Sequence, residues 1–224
     1  MIGPIRDFPH LLKQVTPHIS ADTTLPVING VRFEADATHL YAVATDRYTM
    51  VVTRRPVDDG SAAGWSAFVS AADLKAVRSF TTLTRRTPLF LDLSPGGQRL
   101  TFTAGALALA VPTVDLPLAV ARRIAWRALI ADAMRAVPNL TTEVDLNPTF
   151  LGRWASAARN DPLTVWGADA TKPLLIACGD DFVGLQMPVQ NPDAKSPSRQ
   201  SALHDLWADA LGLSTAAVGT ARAA

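Results

Sequence analysis

A helix followed by three strands recurs along this chain, and that recurrence limits the fold more than any single residue does. In the first copy Phe8, Leu11, Leu12 and Val15 take helical spacing within residues 7–19, with Asp7 as the expected N-cap and Pro9 in the tolerant first turn. Residues 25–35 and 39–44 then alternate as strands about a turn at Asp36-Ala-Thr, and 48–57 form a third strand before the turn formers Asp58-Asp-Gly-Ser.

The second copy starts with a strand at Trp65–Val69, and Ser70 caps a helix through Asp73, Leu74, Val77 and Phe80. Strands are expected over 88–93, 99–103 and 106–111, with a turn at Ser94-Pro-Gly-Gly. A linker over 112–123 leads to a helix over 125–137, apolar at Leu129, Ile130, Ala133, Met134 and Val137 and stopped by Pro138. That helix reads as the remnant of a further copy whose strands are missing. The third copy has a strand at Glu143–Leu146, a helix opened by Asn147-Pro-Thr and running through Leu151, Trp154 and Ala158, and strands over 163–167, 173–178 and 182–189. The division that follows is a complete domain over 1–115, an abridged one over 116–190, and a polar linker and tail over 191–224 with a short helix at 202–212.

Hydrophobic residues make up 48% of the chain and charged residues 18%, a balance that supports a buried core and excludes global disorder. No apolar run nears the roughly 20 residues of a membrane span. The N-terminus also lacks the pattern of a signal peptide, so a cytoplasmic protein is expected. Cys178 is the only cysteine and lies in an apolar strand, which excludes an internal disulfide, and with four scattered histidines no metal site is expected. Asp46, Asp58, Asp59, Asp180 and Asp181 are the obvious carboxylates, four of them at turns, and His10, His18, His39 and His204 have no partner at motif spacing. With no phosphate loop or nucleophile motif, neither an enzyme nor a cofactor is expected. Net charge is +1, so any nucleic-acid role needs local basic faces.

Four stretches taken in order resemble the bacterial DNA polymerase III beta sliding clamp family. They are Leu11-Leu-Lys-Gln-Val with Leu25-Pro-Val, then Asn29-Gly-Val-Arg-Phe-Glu with Val43-Ala-Thr-Asp-Arg-Tyr-Thr-Met, then Phe68-Val-Ser-Ala-Ala-Asp-Leu, and finally Gly184-Leu-Gln-Met-Pro-Val-Gln. The likeness covers about residues 5–190 and is nearest to the middle and last of the family's three domains. Departures include a shorter chain, Arg47 where the family has glycine, Thr49 where it has arginine, Gln190 in place of a second arginine, and a tail without counterpart.

The resemblance implies an α+β fold of the DNA-clamp (processivity-fold) type, with helices on one face of antiparallel sheets. It implies a platform that encircles duplex DNA through weak, non-specific contacts and binds a DNA polymerase and a clamp loader through short linear motifs. By position, Ile28, Thr45, Arg47, Tyr48, Thr49 and Met50 match one side of the family's partner-peptide pocket, and Leu185, Met187, Pro188 and Val189 the other. The basic residues of the helices, Lys13, Lys75, Arg78, Arg127, Arg135, Arg153 and Arg159, become the expected DNA-facing set. In the tail Gln200, Leu203, Leu206 and Trp207 loosely resemble a pocket-binding peptide, which suggests self-docking. Four helices per chain fit a homotrimer around a six-domain ring, with a dimer as the other closed form. The alternative is a monomeric, non-encircling relative that binds or inhibits replication proteins.

Overall fold

The computed structural model describes residues 1–58, 64–114, 124–138, 144–158 and 161–189, together with Leu206. The chain opens with strand β1 (Ile2–Ile5), helix α1 (Phe8–Val15) and a 3-10 turn (Thr16–His18). Strands β2 (Gly30–Ala35), β3 (His39–Thr45) and β4 (Thr49–Pro56) complete the first copy. The second holds β5 (Trp65–Ser70), α2 (Ala71–Leu83), β6 (Leu89–Leu93), β7 (Arg99–Ala104) and β8 (Leu107–Pro112). Then come α3 (Trp126–Arg135), α4 (Pro148–Trp154), β9 (Thr164–Trp166), β10 (Leu174–Cys178) and β11 (Phe182–Gln186). Among the described residues no helix is long and apolar enough to cross a membrane.

All pairings are antiparallel. One sheet has the order β1-β6-β7-β8, the other β5-β2-β3-β4-β11-β10-β9. The second sheet therefore joins early and late parts of the chain, through the pairing of β4 with β11. Phe8 of α1 knits the two sheets together: its ring lies 5.8 Å from Phe33 of β2 and 5.7 Å from Phe102 of β7. Leu11, Leu12 and Val15 of α1 and Leu74 and Val77 of α2 fill the same core. Helix α2 begins as the sequence predicts, the Ser70 hydroxyl accepting from the Asp73 amide at 3.2 Å. Asp7 sits at the N-cap of α1 but caps it through its carbonyl, which accepts from the His10 and Leu11 amides, rather than through its side chain.

Some boundaries differ from expectation. The strand expected from residue 25 begins at Gly30, because Asp22 binds the Thr24 amide and the Leu25 carbonyl accepts from Ile28 and Asn29, folding the intervening chain into turns. Pro26 has no amide to offer a ladder. The expected strand at 143–146 does not form in its described part; one bond, from the Val189 amide to the Asp145 carbonyl at 2.8 Å, runs beside it. Strand β11 stops at Gln186, two residues before Pro188. Strand β1 is not legible in the sequence, because Gly3 and Pro4 break its pattern. Cys178 is buried as expected, its sulfur 3.8 Å from the Asp161 carbonyl, and burial, with the Asp161 charge, pushes its thiol pKa up.

The β4–β11 pairing depends on one glycine. A Cβ at Gly184 would stand 2.5 Å from the Met50 carbonyl and 2.6 Å from the Trp154 ring. Gly184→Val is therefore expected to lower the free energy of unfolding by about 3 kcal/mol in denaturant titration. Gly152, in the middle of α4 with open space where its Cβ would be, gives the opposite sign: Gly152→Ala should raise stability by about 0.5–1 kcal/mol.

Candidate partner-docking site

Where β4 meets β11, Thr49 lies opposite Gln186 and Met50 opposite Leu185. Alternation along the strands sends these two pairs to opposite faces. On the first face sits α4. The Trp154 indole donates to the Gln186 side-chain carbonyl at 2.5 Å, and Arg153 reaches both Asp46, at 2.5 Å, and the Thr49 hydroxyl, at 3.0 Å. Asp46 in turn accepts from the amides of Tyr48 and Thr49 at 3.0 and 2.7 Å, so one carboxylate shapes the whole Thr45–Met50 turn. Burial works against that charge, yet the Arg153 bond, the Thr49 donors and the guanidinium hold the Asp46 carboxyl below its ordinary range. Tyr48 is 53% exposed and stacks on Phe150 at 5.4 Å.

His18 lies under this face, fully buried, with its ring 4.6 Å from Trp154 and neither ring nitrogen bonded among the described residues. Burial first, and the Arg153 charge second, lower its pKa from the ordinary 6.5 to about 4, with Asp46 opposing.

The second face is apolar. Val43 of β3, Met50 and Val52 of β4, Leu175 of β10 and Leu185 of β11 form one cluster, and α3 covers it with Trp126 and Ile130. The sequence groups α3 with the other helices, but it lies across the sheet from α1 and α4. Its anchor at the rim is Glu34, which accepts from the Trp126 indole at 3.2 Å and from Arg127 at 2.5 Å. The Arg127 guanidinium lies 4.1 Å over the Trp126 ring and 5.2 Å over Tyr41. Burying Trp126 and Ile130 stabilises this seat by roughly 1.5–3 kcal/mol each.

The expected pocket residues thus divide. Met50 and Leu185 are 8% and 6% exposed beneath α3. Ile28 and Thr45 line a crevice of about 10 Å³ that Ile124, just before α3, helps to form. Thr49 points to the Arg153 side. Tyr48 and Met187 are joined by a 2.8 Å bond from the Met187 amide to the Tyr48 carbonyl, Pro188 is buried, and Val189 is half exposed. Arg47 is exposed with a φ of 80°, in the left-handed region where the family has glycine.

The expected DNA-facing residues divide as well. Lys13, Lys75 and Arg78 are exposed on α1 and α2, which pack together. Arg127 and Arg135 stand on α3, across the sheet, paired with Glu34 and Asp132, and Arg153 is held by Asp46. Arg159, Gln200, Leu203 and Trp207 lie outside the described residues; Leu206 is exposed. The role of Glu34, Trp126 and Ile130 in closing the apolar face is not legible in the sequence. The helical stripe of α3 is, but a stripe does not say which surface it will cover.

Two changes test this geometry. Arg47→Gly removes the left-handed side-chain strain and should raise stability by about 0.5–1 kcal/mol, measured by thermal unfolding; a clear loss would contradict the assigned backbone. His18 takes up a proton more readily when unfolded, so stability is full above pH 6.5 and falls as pH drops toward 4, by about 3 kcal/mol in all. His18→Phe keeps the ring on Trp154 and should flatten the stability–pH curve in that window. The Asp46 pair weakens only below the ordinary aspartate range.

No protein-family model matches the sequence, and no curated protein matches it. Solved structures do. The DNA polymerase III beta subunit of Thermotoga maritima aligns with a TM-score of 0.65 at 14% identity, over 82% of this chain and 63% of that one. The beta subunit of Streptococcus pyogenes gives 0.63 at 14% identity over 82% and 63%, and the sliding clamp of Pseudomonas aeruginosa with ligand 0.64 at 12% over 85% and 65%. The chain therefore spans less than two thirds of the length of each. Its repeated units and antiparallel sheets give it the fold of the bacterial DNA polymerase III beta sliding clamp.

Proposed function

We propose that this chain is a compact DNA sliding clamp, a processivity factor that encircles duplex DNA and tethers replication proteins at the β4–β11 junction. The carrying observation is the side-by-side packing of α1 and α2 with Lys13, Lys75 and Arg78 on their exposed surfaces and Arg85 and Arg86 just after α2. Among the described residues none of these five is drawn into an ion pair. Cations held in water meet phosphates weakly and without regard to sequence, which is what a sliding contact requires. Polymerase and clamp loader are the expected partners, each presenting a short apolar motif to the junction.

A ring requires copies to join at their sheet edges, and a homotrimer is the assembly proposed. Strand β8 is an edge with a single ladder neighbour, and its sequence Leu107-Ala-Leu-Ala-Val-Pro carries no charge to discourage pairing with another chain. At the far end of the larger sheet β9 is also an edge, with Val165 exposed. A specific observation favours a second reading. Among the described residues the late part of the chain has no counterpart of the β1-β6-β7-β8 sheet, and none of its strands there is placed to meet β8 by analogy with the β4–β11 junction. That favours a non-encircling protein that binds or antagonises replication proteins.

Light scattering after size exclusion, across protein concentration and without DNA, separates the two. A concentration-stable trimer that Leu107→Lys converts to monomer supports the ring. Retention on circular but not linear DNA should follow, weakened in Lys75→Glu and Arg78→Glu, with each lost phosphate contact reducing the salt slope by about one. A monomer at tens of micromolar sinks the ring and leaves the non-encircling reading.

A further inference from the structure

We propose that α3 is a displaceable occupant of the apolar face of the β4–β11 junction: it opens locally, and only then are Met50 and Leu185 accessible to a partner peptide. The proposal rests on the docking reading above and adds its regulation.

The seat and the expected pocket overlap. Trp126 and Ile130 pack over the cluster that holds Met50 and Leu185, and Ile124 packs against that cluster and lines the same crevice as Ile28 and Thr45. The remaining crevice has room for about one water and none for a peptide side chain.

The hold on this stretch is slight for a helix of its length. Only Trp126 and Ile130 of its ten residues are buried. Leu129 and Met134 flank the buried stripe and remain 42% and 55% exposed. The N-cap, Ala125, offers no side-chain bond, and no acidic residue stands in the first turn, where Arg127 places a positive charge against the helix dipole. Among the described residues no bond from the C-cap residue Ala136 closes the other end. Among the described residues, and apart from its apolar and ring contacts, which include Tyr41, α3 reaches the sheet through two side-chain bonds, from Trp126 and Arg127, and both end on Glu34. A helix with few buried contacts and uncapped ends belongs to the part of a fold that opens without global unfolding.

The chemistry of the seat also describes its competitor. Met and Leu at its floor adapt to aliphatic and aromatic anchors of several shapes. Glu34 at the rim takes an indole or guanidinium donor, as it does from α3 itself. A short peptide with two apolar anchors therefore competes with Trp126 and Ile130 for one surface, and its apparent affinity is reduced by the fraction of time that α3 is seated.

The experiment is hydrogen exchange by mass spectrometry on the full chain, followed by titration with the synthetic peptide Gln-Ala-Ala-Leu-Phe. The α3 amides should exchange faster than those of β4 and β11 by at least ~100-fold. Trp126→Ala, and separately Ile130→Ala and the surface change Arg127→Ala, should speed α3 exchange further without altering β4 or β11. The first two should tighten peptide binding by about tenfold. If α3 exchanges in step with β4 and β11, it is a fixed part of the core and the proposal is overturned. Equal peptide affinity for wild type and both buried-residue variants also overturns it. Rapid α3 exchange with no peptide binding to any variant instead upholds the opening of α3 and sinks the docking reading on which its regulatory meaning rests.

Discussion

The pairing of β4 with β11 organises the molecule. Five rungs, from Thr53 with Phe182 to Thr49 with Gln186, join parts of the chain more than a hundred positions apart into one sheet. The strands approach closely because Gly184 carries no side chain, leaving room for the Met50 carbonyl and the flat side of Trp154. The two faces then acquire different characters. One is polar and tied, with Asp46, Arg153 and Thr49 bonded to one another and the indole of Trp154 bonded to Gln186. The other is apolar and covered, with Met50 and Leu185 under α3. Each rung sends its side chains to one face or the other, so changing the register by one residue would exchange the two.

Much of this is legible in the residues. Ser70 with Asp73 marks the start of α2 by the chemistry of a helix N-terminus, and the alternation in β7 follows from one face being buried, whereas β4, covered on both faces, is buried along nearly its whole length. The resemblance implies Met50 and Leu185 as two walls of a partner-peptide pocket; the structure has them opposite each other on adjacent strands and buried beneath α3. Other features cannot be read from the chain. Leu25-Pro-Val looks like the start of a strand, but side-chain bonding by Asp22 competes with the ladder. Arg153 looks like a helix-surface cation, yet Asp46, over a hundred positions away, claims it. Local pattern reports which residues want burial or a partner; it does not report which distant surface supplies them.

The late part of this chain contributes three strands to the shared sheet and, among the described residues, no second sheet. The apolar face over Val43, Val52 and Leu175 still has to be kept from water, and a single amphipathic helix does so at the junction. Arg127 stands on that helix, paired with Glu34, across the sheet from the exposed cations of α1 and α2.

Cys178 has a practical consequence. It is the chain's single thiol, and it is buried at the end of β10 with its ionisation suppressed. The thiolate is the reactive form, so slow labelling by maleimide reagents is expected of the native protein. A cysteine introduced on the open side of α2, at Ser79 for example, is expected to take a dye well before Cys178 does. Spectroscopic distances between copies can then be measured on an otherwise natural chain, without first stripping the molecule of its own sulfur.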